Sequence, residues 1–192
     1  MRLLLIGAPG AGKGTQAVRL AEHFGATHIS SGDLLREHVE DHTEFGAQVQ
    51  QYVSRGDLVP DELVVEMLRD AIIAASARGG YVLDGFPRTV HQAEMAYEMA
   101  REHGVELKVA AKLEVPQEEL VRRLLARGRG ADDTQDVIEH RLEVYEAKTR
   151  PMVQHYVERG ILVTVDGSQP ADDVTADLVR EIEAKVGSQP QD

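Results

Sequence analysis

Two residues into the chain an apolar run, Leu3-Leu-Leu-Ile6, gives way at once to the loop Gly7-Ala-Pro-Gly-Ala-Gly12-Lys13-Gly14-Thr15. A run that short, stopped by glycine, predicts a buried strand over 2–6 and not a helix. After Gly12 the residues Ala17, Val18, Leu20 and Ala21 fall on one helical face, which predicts a helix over 12–24. A strand that feeds a helix through a tight glycine loop begins a parallel α/β arrangement, because a parallel neighbour is reached only through a crossover.

The remainder repeats the alternation. Short apolar strands are predicted at 27–29, 81–83, 109–115 and 161–165. Helices are predicted at about 33–41, 43–54, 61–77, 90–103, 116–126, 135–159 and 171–186. Ser30 or Ser31 serves as cap before Asp33, and Pro116 stands in a first turn. The fold class that follows is α/β, a parallel five-stranded sheet covered by helices on both faces. The stretch 30–59 has helices and no strand, so it reads as a lobe on the core, and 187–192 reads as a frayed tail. In such sheets ligands lie beyond the carboxyl ends of the strands, where the loops below emerge.

Composition narrows the classes. With 21 basic and 33 acidic residues the net charge is −12, which argues against broad nucleic-acid binding. No apolar run is long enough to span a membrane, and the loop after the first strand does not predict a signal peptide. The absence of cysteine excludes disulfides, thiolate zinc sites and a cysteine nucleophile, and fits a cytoplasmic location. The eight histidines are scattered and read as surface residues. Against this acidic background Arg122, Arg123, Arg127 and Arg129 are crowded together, which asks for an anionic ligand.

The chemistry starts from the glycine loop. Gly10, Ala11, Gly12, Lys13, Gly14 and Thr15 can turn backbone N–H groups around phosphate oxygens at a helix N-terminus. Lys13 would reach the β- and γ-phosphates of a nucleoside triphosphate and Thr15 would offer its hydroxyl to Mg2+. The general phosphate-loop pattern has Ser or Thr directly after the lysine; here Gly14 stands there and the hydroxyl comes one residue later. Farther on, Leu83-Asp84-Gly85-Phe86-Pro87-Arg88 ends a strand with an acid suited to hold a Mg2+-bound water and a turn that carries an arginine. Gln92 follows Arg88 by one helical turn and shares its face.

These motifs, in this order, resemble the adenylate kinases. The resemblance starts at Gly7 to Gln16 and runs to about residue 180. It implies a P-loop-type core of 1–29, 60–125 and 134–192, a small helical lobe for the nucleoside monophosphate at 30–59, and a short lid at 126–133. It implies transfer of a phosphoryl group from ATP to AMP with Mg2+, without zinc, by a monomer. Lys13, Arg88, Arg123, Arg127, Arg129 and Arg141 would be catalytic. Arg123 and Arg127 would face the ATP phosphates, and Arg129 and Arg141 would close on the transferring group and on AMP. Gln169 would border the ATP adenine. Ser31, Arg36, Asp57, Leu58, Val59, Gly85, Phe86, Pro87, Arg88, Gln92, Arg129 and Arg141 would bind AMP, and Thr15 and Asp84 would serve the metal, partly through water. This chain has one residue more than the short-lid pattern between Arg129 and the pair Asp132-Asp133.

Two other readings stand beside it. A kinase for CMP or UMP would share the loop, the Asp84 turn and the lid, and Ser31 with Gln92 favours AMP over it. A non-catalytic nucleotide-binding module would keep the first loop but would have no use for arginines aimed at a second phosphate.

Overall fold

The structure, a computed structural model, describes residues 1–128 and 134–188. Arg129, the pair Asp132-Asp133 and the last residues of the expected tail lie outside the described residues. Five strands form one parallel sheet: β1 (Arg2–Ile6), β2 (Thr27–Ser30), β3 (Tyr81–Asp84), β4 (Val109–Glu114) and β5 (Leu162–Asp166), in the order β2-β3-β1-β4-β5. The helices are α1 (Lys13–Phe24), α2 (Ser31–Glu40), α3 (Glu44–Arg55), α4 (Asp61–Ala77), α5 (Val90–Glu102), α6 (Gln117–Arg127), α7 (Gln135–Val144), α8 (Val153–Glu158) and α9 (Ala171–Gly187).

Alternation along the strands divides the core in two. Leu3 and Leu5 of β1 join Val82, Val109 and Ala111 under α1 and α9, with Leu124 of α6 and Ile138 of α7. Leu4 and Ile6 point the other way and join Tyr81, Leu83 and Ala110 beneath α4 and α5. Leu4 and Leu124 are 1% and 0% exposed, so truncating either to alanine is expected to cost about 2–5 kcal/mol. The lobe of α2 and α3 is attached to the second of these cores through Leu35, Val49 and Val59.

Three expectations change in detail. Ser30 is the cap of α2, its hydroxyl accepting from the Asp33 N–H, so the helix begins at Ser31. Pro116 caps α6 from the position before the first turn. The single helix expected over 135–159 is broken. After α7 the backbone widens into a π turn at Tyr145–Thr149 and tightens into a 3-10 turn at Arg150–Met152 before α8. Pro151 supplies the reason, since it has no N–H to donate and its ring crowds the carbonyl one turn back.

Because β1 is central, the chain must cross it on the way from β3 to β4. The loops after β1 and β3 therefore open beside each other at the carboxyl ends of the strands, where such sheets take their ligands.

Candidate active site

Register places the two key loops together. Asp84 at the end of β3 stands opposite Leu5 of β1 and Ser30 of β2. A Cβ built on Gly14 would lie 3.5 Å from the Asp84 carboxylate, so the glycine after Lys13 lets the first turn of α1 face that acid across a narrow gap. The Thr15 residue is exposed at the same turn. Lys13 curls back over the loop, its Nζ donating to the carbonyls of Gly7 at 2.8 Å and Ala8 at 3.1 Å. Burial lowers its pKa to about 8; Asp84 acts in the opposite sense, while Arg88, Arg141 and Arg127 lower it further. Several cations around one carboxylate make a centre suited to an anion.

Beyond Asp84 lies a cavity lined by Ser31, Arg36, Asp57, Leu58, Val59, Gly85, Arg88, Gln92 and Arg141. A second cavity adjoins it and reaches Lys13, Pro9, Pro87, Tyr145 and Thr149. Leu58, Gly85, Arg88 and Arg141 line both, so the two arginines stand where the cavities meet. Burial depresses the Arg88 guanidinium, and nearby Arg36 adds to that while Asp84 opposes it. Arg88 Nε donates to the Gly85 carbonyl at 2.5 Å, and the Ser31 hydroxyl donates to the same oxygen at 2.6 Å. Gly85 has φ of 80°, and a Cβ there would lie 2.8 Å from the Ser31 hydroxyl and 3.0 Å from the Arg88 guanidinium. No other residue type fits that turn without moving both side chains. The Phe86–Pro87 peptide that follows is cis.

Gln92 is 2% exposed and held from both ends of its amide. Its Oε1 accepts from the Arg88 N–H at 2.7 Å, and its Nε2 donates to Asp61 at 2.8 Å. One N–H and one lone pair remain for a ligand, the pair that a base edge needs. Asp61 also accepts from the Thr89 hydroxyl at 3.1 Å and meets the His91 ring at 3.1 Å, so it orients this whole corner. Sequence reasoning missed it. The only local signal was an acid in the first turn of α4, and helices carry acids there for their dipole.

Other expected residues fall elsewhere. Phe86 is 1% exposed and belongs to the core, so only its backbone is offered to a ligand. Arg123 gives its Nε to Glu119 at 2.6 Å and its Nη1 to the Gly167 carbonyl at 3.0 Å, which places it against the loop after β5. Gln169 is in that same loop, its Nε2 donating to the Asp166 carbonyl and to Asp177. Arg36 pairs with Asp33 one turn earlier. The arginine cluster is also less unneutralised than its sequence suggests. Hydrogen bonds from Arg122, then Arg123, hold the Glu119 carboxyl down at about 2.

The histidines are not simply surface residues. His28 has a buried Nε2 without a partner among the described residues, and His155 packs against Tyr97 and Tyr156. His140 of α7 meets Asp57 at 2.7 Å, across 83 residues of sequence, and Arg141 beside it lies over Gly56.

A loop shaped for a chain of phosphates, joined at two arginines to a cavity with a buried amide, on a parallel sheet of this order, defines a nucleoside-monophosphate kinase. Comparison with known proteins narrows the class. The sequence pattern of the family described as "Adenylate kinase" matches residues 5–161. An adenylate kinase of Micrococcus luteus is 49% identical over 185 residues, covering 94% of this chain and 90% of its own. One of Kocuria rhizophila is 46% identical over 95% of this chain and 98% of its own, and "Adenylate kinase 1" of a Nostoc strain is 43% identical over 97% and 99%. The chain belongs to the adenylate kinase family, and it is a nucleotide-binding enzyme and a phosphotransferase of that kind. No helix among the described residues is long and apolar enough to cross a membrane.

Proposed function

We propose that the chain moves the terminal phosphoryl group of ATP reversibly to the phosphate of AMP, giving two ADP, with ATP on the Gly7–Thr15 loop and AMP in the cavity of Ser31, Arg36 and Gln92. The observation that carries this reading is the double placement of Arg88 and Arg141, which line both the phosphate-loop cavity and the second-nucleotide cavity. An AMP phosphate oxygen would attack the γ-phosphorus while its bond to the bridging oxygen breaks. The attacking group is already an anion, so no general base is required. Lys13, Arg88 and Arg141 would neutralise the charge that spreads over the equatorial oxygens, and Arg127 would approach the same group from α6. Arg123, expected at the ATP phosphates, lies against the loop of Gln169 and would serve the base end of ATP with it. Arg129 would join them from the lid.

The donors present fit Mg2+ carried by ATP. Asp84 and Thr15 flank Gly14, and one carboxylate with one hydroxyl suits an ion that keeps water and phosphate oxygens in most of its shell. When bound, the ion would neutralise β- and γ-phosphate charge. The family resemblance supports action as a monomer in the cytoplasm.

The test is an acceptor panel with ATP as donor. AMP is expected to outrun CMP, UMP and GMP, because the amide of Gln92 and the Ser31 hydroxyl would be left unsatisfied by a mismatched base. Turnover of CMP equal to that of AMP would move the chain to the pyrimidine kinases.

A further inference from the structure

Between β3, α5 and α8, away from the transfer chemistry, lies another cavity of about 310 Å3. Its volume arises from the sequence of α5. Ala93, Ala96 and Ala100 follow one another at spacings of three and four, so a row of methyl groups leaves room on that helical face between Tyr97 and Met99. Leu83, Met99 and Ile161 complete a mainly apolar wall. A dry pocket of about 150 Å3 takes benzene, so this one has room for a fused two-ring body.

Its polar groups are few and not mutually satisfied. The Arg159 guanidinium lies over the Tyr97 ring, 3.2 Å from the centroid, and pairs with no carboxylate among the described residues. Tyr156 is 3% exposed and its hydroxyl has no hydrogen-bond partner among the described residues, whereas Tyr81 gives its own to the Val105 carbonyl at 2.6 Å. His155, at the same wall, has its pKa lowered by burial first and then by Arg159, while Glu94 and Glu158 oppose that. Glu106 is the one carboxylate in the lining, and Arg2 opposes its effect on Tyr81. A cation in the lining of an apolar cavity, together with a spare hydroxyl, describes a receptor for an apolar acid.

We propose that this cavity is a second ligand site, for a small apolar or aromatic molecule with one carboxylate, whose body fills the alanine-lined space while its anion meets Arg159 and the Tyr156 hydroxyl. The site does not depend on the acceptor identity argued above. It shares Pro87 with the cavity at Lys13, so it backs directly on the turn that carries Arg88.

Titration of the full chain with 2-naphthoate, followed by equilibrium dialysis, tests it. One equivalent is expected to bind, and a bisubstrate analogue of two linked adenosines is expected not to displace it. Arg159→Gln should weaken 2-naphthoate at least tenfold and leave 2-naphthylmethanol unaffected, since only the charged contact is lost. Ala96→Leu, checked for an unchanged melting temperature, should abolish binding of both. Absence of saturable binding, displacement by the bisubstrate analogue, or equal affinity for the acid in Arg159→Gln overturns the proposal, and the last holds even if Ala96→Leu does not fold.

Discussion

Burial, with three guanidiniums near it, brings the Lys13 ammonium to about 8, well below its ordinary 10.5. In the window between those values the unfolded chain holds more protons than the folded one, so stability of the nucleotide-free protein rises with pH there. That gain is absent below pH 8. Bound phosphates reverse the field and restore the cation, so ATP binding at pH 8.5 should take up a proton. Calorimetry in two buffers of different ionisation enthalpy reads this uptake, which should vanish in Lys13→Met together with turnover. Equal heats in both buffers for the wild type would contradict the assignment. Asp61 gives a second expectation. Asp61→Ala frees the Gln92 amide to rotate and should narrow the preference for AMP over CMP by about tenfold, the worth of one oriented hydrogen bond. An unchanged preference would mean that Arg88 alone holds Gln92. Lys13, Asp84 and Arg88 were legible in sequence because each lies in a contiguous strand-end motif. Asp61 was not, because its partner is 31 residues away and only folding brings them together.

Among elements, the strands and most helices lie within a residue or two of where periodicity and capping put them. The exception is the stretch after α7, where a continuous apolar pattern masked the effect of Pro151. The π turn has a consequence for the site, since Tyr145 and Thr149 on it line the cavity at Lys13. The junction of α7 with the loop 56–59 was likewise invisible to local patterns. Gly56 has φ of 75°, and a Cβ there would lie 2.8 Å from Arg141 Cγ, so the loop and the arginine are in direct contact. His140 fastens the same loop through Asp57. With side chains 42% and 38% exposed, that pair contributes at most about 1 kcal/mol to stability. Its value is positional, since Asp57 and Arg141 both line the cavity proposed for AMP. His140→Ala should therefore raise the KM for AMP several-fold with little change in melting temperature or in the KM for ATP, and His140→Gln should recover most of the loss. An equal rise in both KM values would assign His140 a general structural role.

At the scale of the whole molecule, a protein of net charge −12 concentrates Lys13, Arg36, Arg88 and Arg141 around two adjoining cavities. Those cations carry like charge, so phosphates bound among them would favour drawing them together. The lobe of α2 and α3 is suited to respond. Its apolar attachment runs through Leu35, Val49 and Val59 with the partly buried Leu34, Phe45, Tyr52 and Val53, and its polar ties among the described residues include Ser31 to Gly85 at one end and Asp57 to His140 at the other. A ligand that touches Arg36, Arg88 and Gln92 together adds contacts across exactly this seam and should draw the lobe inward, excluding water from the transfer. Hydrogen exchange checks it. A bisubstrate analogue of two linked adenosines should slow exchange throughout 30–59, and ATP alone should slow it chiefly in Gly7 to Thr15. The strands β1, β3 and β4, buried on both faces, should exchange slowly in every state. Protection confined to the phosphate loop with the bisubstrate analogue would show that the lobe does not close, and the arginines would then have to gather around the phosphates by side-chain motion alone.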